Sequence, residues 1–190
     1  RQRQMCIRDS GKGCYIKKWE TEPFEAKDFN NNNNIGMNLA LSKKTDADWD
    51  SKESVYFAPK FMSPTRTLGI ESPTGSITVN SHFIYDERVE TNITKEFPDG
   101  KTIAELRGNG NTVVAPSVAE SKLFRNQKCK RVWTNEKNFE KNPNLEKQFN
   151  KVCVASVLKT VIESDNMPFV KLTACLKRYC TDWREHEIYD

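Results

Sequence analysis

Polar and apolar residues alternate with a period of two through much of the first two thirds of the chain. After about residue 150 the spacing becomes helical. The clearest alternation spans residues 77–85, with Ile77, Val79, Phe83 and Tyr85 on one face and Thr78, Asn80 and His82 on the other. Ser81 is the small residue on the apolar face, and Ile84 the apolar one on the polar face. Further strands are expected over 35–41, 46–50, 102–106 and 112–115 and at Val132 and Trp133. Turns are expected at 72–75, at Asp99-Gly100 and over 108–111. Ser51 can cap a short helix over 52–58 that Pro59 would end, and 23–28 suits another. The asparagine run 30–34 favours a surface loop, because that side chain competes with regular backbone pairing. Phe149, Val152, Cys153 and Val157 are spaced for a helix, as are Phe169, Leu172, Leu176 and Trp183 behind Pro168. The pattern implies an α+β (α/β) fold. Its expected parts are a leader at 1–12 that is non-native or disordered, a main domain at 13–135, and a truncated helical appendage at 136–190.

Three of the strands carry ionisable residues on one face. Asp46, Asp48 and Asp50 share a face, opposite Ala47 and Trp49. Carboxylates so placed repel one another unless a cation or a solvated edge balances them, and hard divalent cations take carboxylate oxygens. A polar, Asx-rich turn is the alternative. In the second strand, His82 projects beside Asn80, suited to donate to a phosphate or a reacting hydroxyl. In the third, Glu105 and Arg107 share a face: either a surface ion pair, or a metal ligand beside a phosphate-binding fork. Gly108 and Gly110 would let backbone approach a ligand closely.

Composition adds little. A net charge of +4 is compatible with a nucleic-acid partner without requiring one. Lys122, Arg125, Lys128, Lys130 and Arg131 form either a template-contacting patch or a solvated charged loop. The six cysteines include no C-x-x-C pair, which points to reduced thiols, an intracellular protein and no zinc site. No apolar run approaches the roughly 18 residues that cross a membrane.

With these residues in place, the chain resembles the archaeo-eukaryotic primase superfamily, in particular the bifunctional primase-polymerase domains of phages and plasmids. The matching motifs are Asp46-Ala-Asp48, then Asn80-Ser81-His82 ahead of an aromatic strand, then Ala104-Glu105-Leu-Arg107-Gly108. The stretch ending Val-Val-Ala-Pro-Ser117 and the linker 61–66 also fit, and the resemblance covers about 13–133. It departs from the family in the polar stretch 42–45 and in the non-literal Ser-x-His spacing.

The resemblance implies an RRM-like catalytic core joined to a second α/β unit. It implies template-directed nucleotidyl transfer, as DNA primase or DNA polymerase, with Mg²⁺ or Mn²⁺, in replication of a virus or mobile element. By this carry-over Asp46, Asp48 and Glu105 hold metal. Ser81, His82, Arg107 and Gly108 face the incoming NTP or dNTP, and Asp50 is not required as a ligand. A single-stranded DNA template and a downstream replicative helicase are the implied partners, in the cytoplasm. A metal-dependent nuclease and a catalytically inactive nucleic-acid-binding module are the rival functions.

Overall fold

The computed structural model describes residues 4–7 and 34–164. In chain order the strands are β1 (Gln4–Ile7), β2 (Asn34–Asn38), β3 (Thr45–Trp49), β4 (Arg66–Glu71), β5 (Thr78–Tyr85), β6 (Ile93–Glu96), β7 (Thr102–Arg107), β8 (Asn111–Val114), β9 (Val118–Ser121) and β10 (Gln127–Trp133). The helices are α1 (Leu39–Ser42), α2 (Lys52–Phe61) and α3 (Leu145–Ser164). The fold is α+β. A curled antiparallel sheet runs in the order β6-β7-β3-β5-β4-β10-β9, and a smaller sheet runs β1-β2-β8.

The period-two pattern sets the two faces of the large sheet. Ala47, Trp49, Phe83, Tyr85, Ala104 and Leu106 lie in one core with Ala58 of α2 and Leu145, Phe149, Val152 and Val157 of α3. Trp49 is fully buried and stacks on Phe149 with centroids 5.5 Å apart. Each such side chain contributes about 1.5–3 kcal/mol by leaving water. On the opposite face, Leu68 and Ile84 pack against Met37, Leu39 and Val114 of the smaller sheet and its adjoining helix. That second core covers only part of this face and leaves the ionisable residues of β3, β5 and β7 beside it.

Several expectations change. The leader contributes a strand: Gln4–Ile7 pairs antiparallel with β2, from Gln4↔Met37 to Ile7↔Asn34. The last asparagine of the run opens β2 rather than a surface loop. Asn34 is buried, accepts from Val118 N at 2.9 Å and donates to Val118 O at 2.6 Å. The strand expected to reach residue 41 stops at Asn38, whose side chain caps α1 by accepting from Leu41 N.

The capping box at Ser51 forms with Ser54, but Pro59 lies inside α2, which continues to Phe61. Proline costs a helix its own N–H bond; here the following turn still closes, with Met62 N donating to Ala58 O at 2.9 Å. The helix expected as an appendage is α3, and its apolar face completes the main core. The helix expected behind Pro168 lies outside the described residues, as does the one expected over 23–28.

β5 is not a uniform ribbon. Leu68 pairs with His82 but Gly69 pairs with Asn80, so Ser81 is an extra residue on β5. The bulge resets the alternation. Beyond it Ile77 is exposed, although strict alternation expects it in the core. Gly69 permits the close approach here, since a Cβ on it would lie 2.5 Å from Thr134 Cγ2 and 2.8 Å from Thr78 Cγ2. Among the described residues no helix is long and apolar enough to cross a membrane.

Candidate functional site

Strand register brings the three polar motifs together. β3 lies between β7 and β5, so Asp48 stands opposite His82 on one side and Glu105 on the other. Asp46 stands opposite Ile84 and Arg107. Side chains directly opposite in neighbouring strands share a face. Residues far apart in sequence therefore form one polar cluster on the face turned away from α2 and α3.

Two groups within this cluster could hold a metal ion: Asp46, Asp48 and His82, and Asp48, Asp50 and Glu105. Within each, ligand atoms lie within 4.8 Å of one another. Asp48 belongs to both.

The groups differ in how their charges are answered. Asp46 is fully buried. It accepts from Arg107 Nη2 at 2.6 Å and Thr112 Oγ1 at 2.5 Å, and His82 Nδ1 lies 3.1 Å from Oδ2. Burial alone would raise its pKa. The charges of His82 and Arg107, with hydrogen bonds from His82 and Thr112, overcome that and hold the carboxyl well below the usual range. Asp48 shares both partners, 2.9 Å from Arg107 Nη2 and 3.5 Å from His82 Nδ1. Arg107 Nε lies 3.9 Å from Glu105. The Arg107 pKa is raised even though burial opposes its charge, because Asp48 and Asp46 stand against it.

Asp50 was expected on the acidic face but not needed as a ligand; the structure groups it with Asp48 and Glu105. It follows the last residue of β3, yet its N–H still donates to Ile103 O at 3.1 Å, which continues the alternation. It also precedes Ser51, the N-cap of α2, where a negative charge is favoured by the helix dipole. Burial raises its pKa, the neighbouring Asp48 raises it further, and Lys122, 3.1 Å away, offsets only part of this. A carboxylate held under such repulsion gains from a nearby multivalent cation.

A cavity of about 100 Å³ opens beside these groups, lined by Asp48, His82, Arg107, Asn111, Val113 and Arg131. Of the residues expected to face a nucleotide, His82 and Arg107 line it. Ser81 does not: it is fully buried at the bulge, and its Oγ has no hydrogen-bond partner among the described residues. Gly108 does not either. A Cβ on it would fall 1.9 Å from Val89 O, and its N–H donates to Asn92 Oδ1 at 3.0 Å. Its missing side chain makes room for the 86–92 loop rather than for a ligand.

Arg131 is the site residue that sequence reasoning missed. Within the basic cluster the pattern along β10 separates it: Lys128 and Lys130 are exposed, while Cys129 and Arg131 are buried. The cluster is therefore no single patch. Lys128 and Lys130 lie on the other face of the sheet from Arg131, and Lys122 turns to Asp50.

No known protein-family model matches this chain, and no curated protein is found to be similar to it. The site must be read on its own geometry. It offers two candidate metal groups that share Asp48, one of them including His82, an arginine held against Asp46 and Asp48, and a small cavity walled in part by Arg107 and Arg131. Such a site can hold a metal ion and place a small anion next to it.

Proposed function

We propose that this protein is a metal-dependent nucleotidyltransferase of the primase-polymerase kind, adding nucleotides on a single-stranded DNA template. One observation carries the reading: Asp48 belongs to both candidate metal groups. A shared carboxylate between two cation positions is what two-metal phosphoryl transfer requires. One metal activates the attacking hydroxyl and the other stabilises the leaving oxygen. Mg²⁺ or Mn²⁺ fits the oxygen-rich donors of Asp48, Asp50 and Glu105.

Within this reading Asp48 and Glu105 are metal ligands, joined by Asp50. Asp46 completes the set expected from the primase resemblance, and it also anchors Arg107 and His82 through its own contacts. His82 and Arg107 both line the small cavity beside Asp48, which supports reading that cavity as the approach for a nucleotide's phosphates. The order of the motifs along the chain supports the same assignment.

The test is incubation with unprimed single-stranded DNA, Mn²⁺ and labelled NTPs or dNTPs. Template-dependent products are expected from the wild type and none from Asp48→Asn. Full activity of a folded Asp48→Asn protein would overturn the assignment. Metal-dependent shortening of the template without nucleoside triphosphates would identify a nuclease instead.

A further inference from the structure

Arg131 retains 3% of its surface, so its guanidinium is held almost entirely out of water. Among the described residues it donates one long hydrogen bond, from Nη2 to Glu120 O at 3.3 Å. Its Nε and Nη1 have no hydrogen-bond partner there. Leaving a buried charged donor unsatisfied costs several kcal/mol in general, so such groups are normally paired. Burial pulls its pKa down, and the more distant Asp48 and Asp46 only partly offset this. The side chain lines the same small cavity as Asp48, His82 and Arg107.

Arg107, which the sequence suggests as the phosphate-binding fork, is already engaged. Its Nη2 serves Asp46 at 2.6 Å and Asp48 at 2.9 Å, and also reaches Thr112 at 3.3 Å. Asp48, the carboxylate on the cavity wall, is correspondingly answered by Arg107 and His82. Arg107 has one buried nitrogen without a hydrogen-bond partner among the described residues, Nε, and that one faces Glu105 at 3.9 Å; Arg131 has two, Nε and Nη1, and no ion pair there to hold them. At about 100 Å³ the cavity is far smaller than the ~300 Å³ at which whole small-molecule pockets begin. It admits one small group.

We infer that Arg131, rather than Arg107, is the fork that receives a phosphate group of the ligand in this cavity. Its planar guanidinium would donate to phosphate oxygens through the nitrogens that now lack partners. Arg107 is then a positioning residue that holds Asp46 and Asp48 in register. This deepens the nucleotidyl-transfer reading by naming the phosphate contact, but it requires only a phosphate ligand beside a metal.

The test uses Mg²⁺-saturated full-length protein titrated with inorganic pyrophosphate, followed by calorimetry. Wild type is expected to bind. Arg131→Gln should weaken binding at least about tenfold, while Mg²⁺ affinity measured without pyrophosphate stays within about twofold. Arg131→Lys keeps the charge but loses the fork, and should also weaken pyrophosphate binding; it supplies the comparison if Arg131→Gln does not fold. The inference fails if wild type does not bind pyrophosphate, or if a folded Arg131 variant binds it as wild type does. Intact, Arg131-dependent pyrophosphate binding with no template-directed synthesis would sink the polymerase assignment alone.

Discussion

Arg107 donates from Nη2 to Asp46 Oδ2 at 2.6 Å, and the two residues stand directly opposite each other on β7 and β3. Asp46 is fully buried, so this contact is made away from water. Removing one partner of a buried pair typically costs about 3–5 kcal/mol, and although Arg107 would keep Asp48 at 2.9 Å, Thr112 and His82 would lose their shared charged partner as well. Asp46→Asn should therefore destabilise the metal-free protein strongly in urea unfolding. Asp48→Asn, whose carboxylate is slightly exposed, should cost clearly less. Equal losses would show that Asp46 is not the anchor of the cluster.

The same carboxyl sets a pH dependence. Its folded pKa is depressed, so its stabilising contribution is present above the ordinary carboxylate value of about 3.9 and fades as pH falls below that. In urea titrations the gap between wild type and Asp46→Asn should be widest near neutral pH and shrink progressively under acid. A gap that widens in acid would contradict the assignment.

Metal should stabilise the protein through the more open group. At a Mn²⁺ concentration of about 100 Kd, binding to the native state alone adds about 2.7 kcal/mol. Thermal unfolding should show this shift for the wild type, and Asp50→Asn or Glu105→Gln should reduce it. A shift unaffected by both substitutions would place the metal elsewhere.

Gly108→Ala tests whether that glycine serves the loop or a ligand. The added methyl meets the Val89 carbonyl, which is backbone and can move only with the 86–92 loop. Overpacking of this kind typically costs about 1–3 kcal/mol. The expected result is lower stability in urea with metal affinity unchanged. Undiminished stability would return the glycine to a role in ligand approach.

Phe149→Ala should cost about 3–5 kcal/mol, as a large buried aromatic does, because Phe149 is fully buried against Trp49. A much smaller loss, read from urea midpoints, would mean that α3 is dispensable to the main core.

Much of the site was legible because strands impose a strict two-residue period. Alternation alone placed Asp46 and Asp48 opposite Trp49, and Glu105 beside Arg107. What alternation cannot supply is which strands become neighbours. Arg131 sits in a stretch whose charges look alike in sequence, and only the fold, with β10 paired to β4, brings it to the cavity that His82 also lines. The bulge at Ser81 is equally hidden, since one extra residue leaves the local pattern intact on each side. Asp50 follows the end of β3, where the motif comparison gave no reason to keep it, but its backbone remains bound to Ile103. For α3, the helical spacing identified the apolar face but not Trp49 as the surface it would meet. The primase-like activity remains a proposal that rests on motif order and on the shared carboxylate.

The arrangement of β7, β3 and β5 also bears on how the protein matures. No two ligands from different strands are close in sequence, and Asp46 lies 61 residues from Arg107. The loops that close the site must therefore be ordered before any of its charges find their partners, and contacts of such long range form slowly. In a refolding experiment, ion affinity should emerge only with the final cooperative phase, after the local helices have appeared. The pocket would then report whether the chain had finished folding.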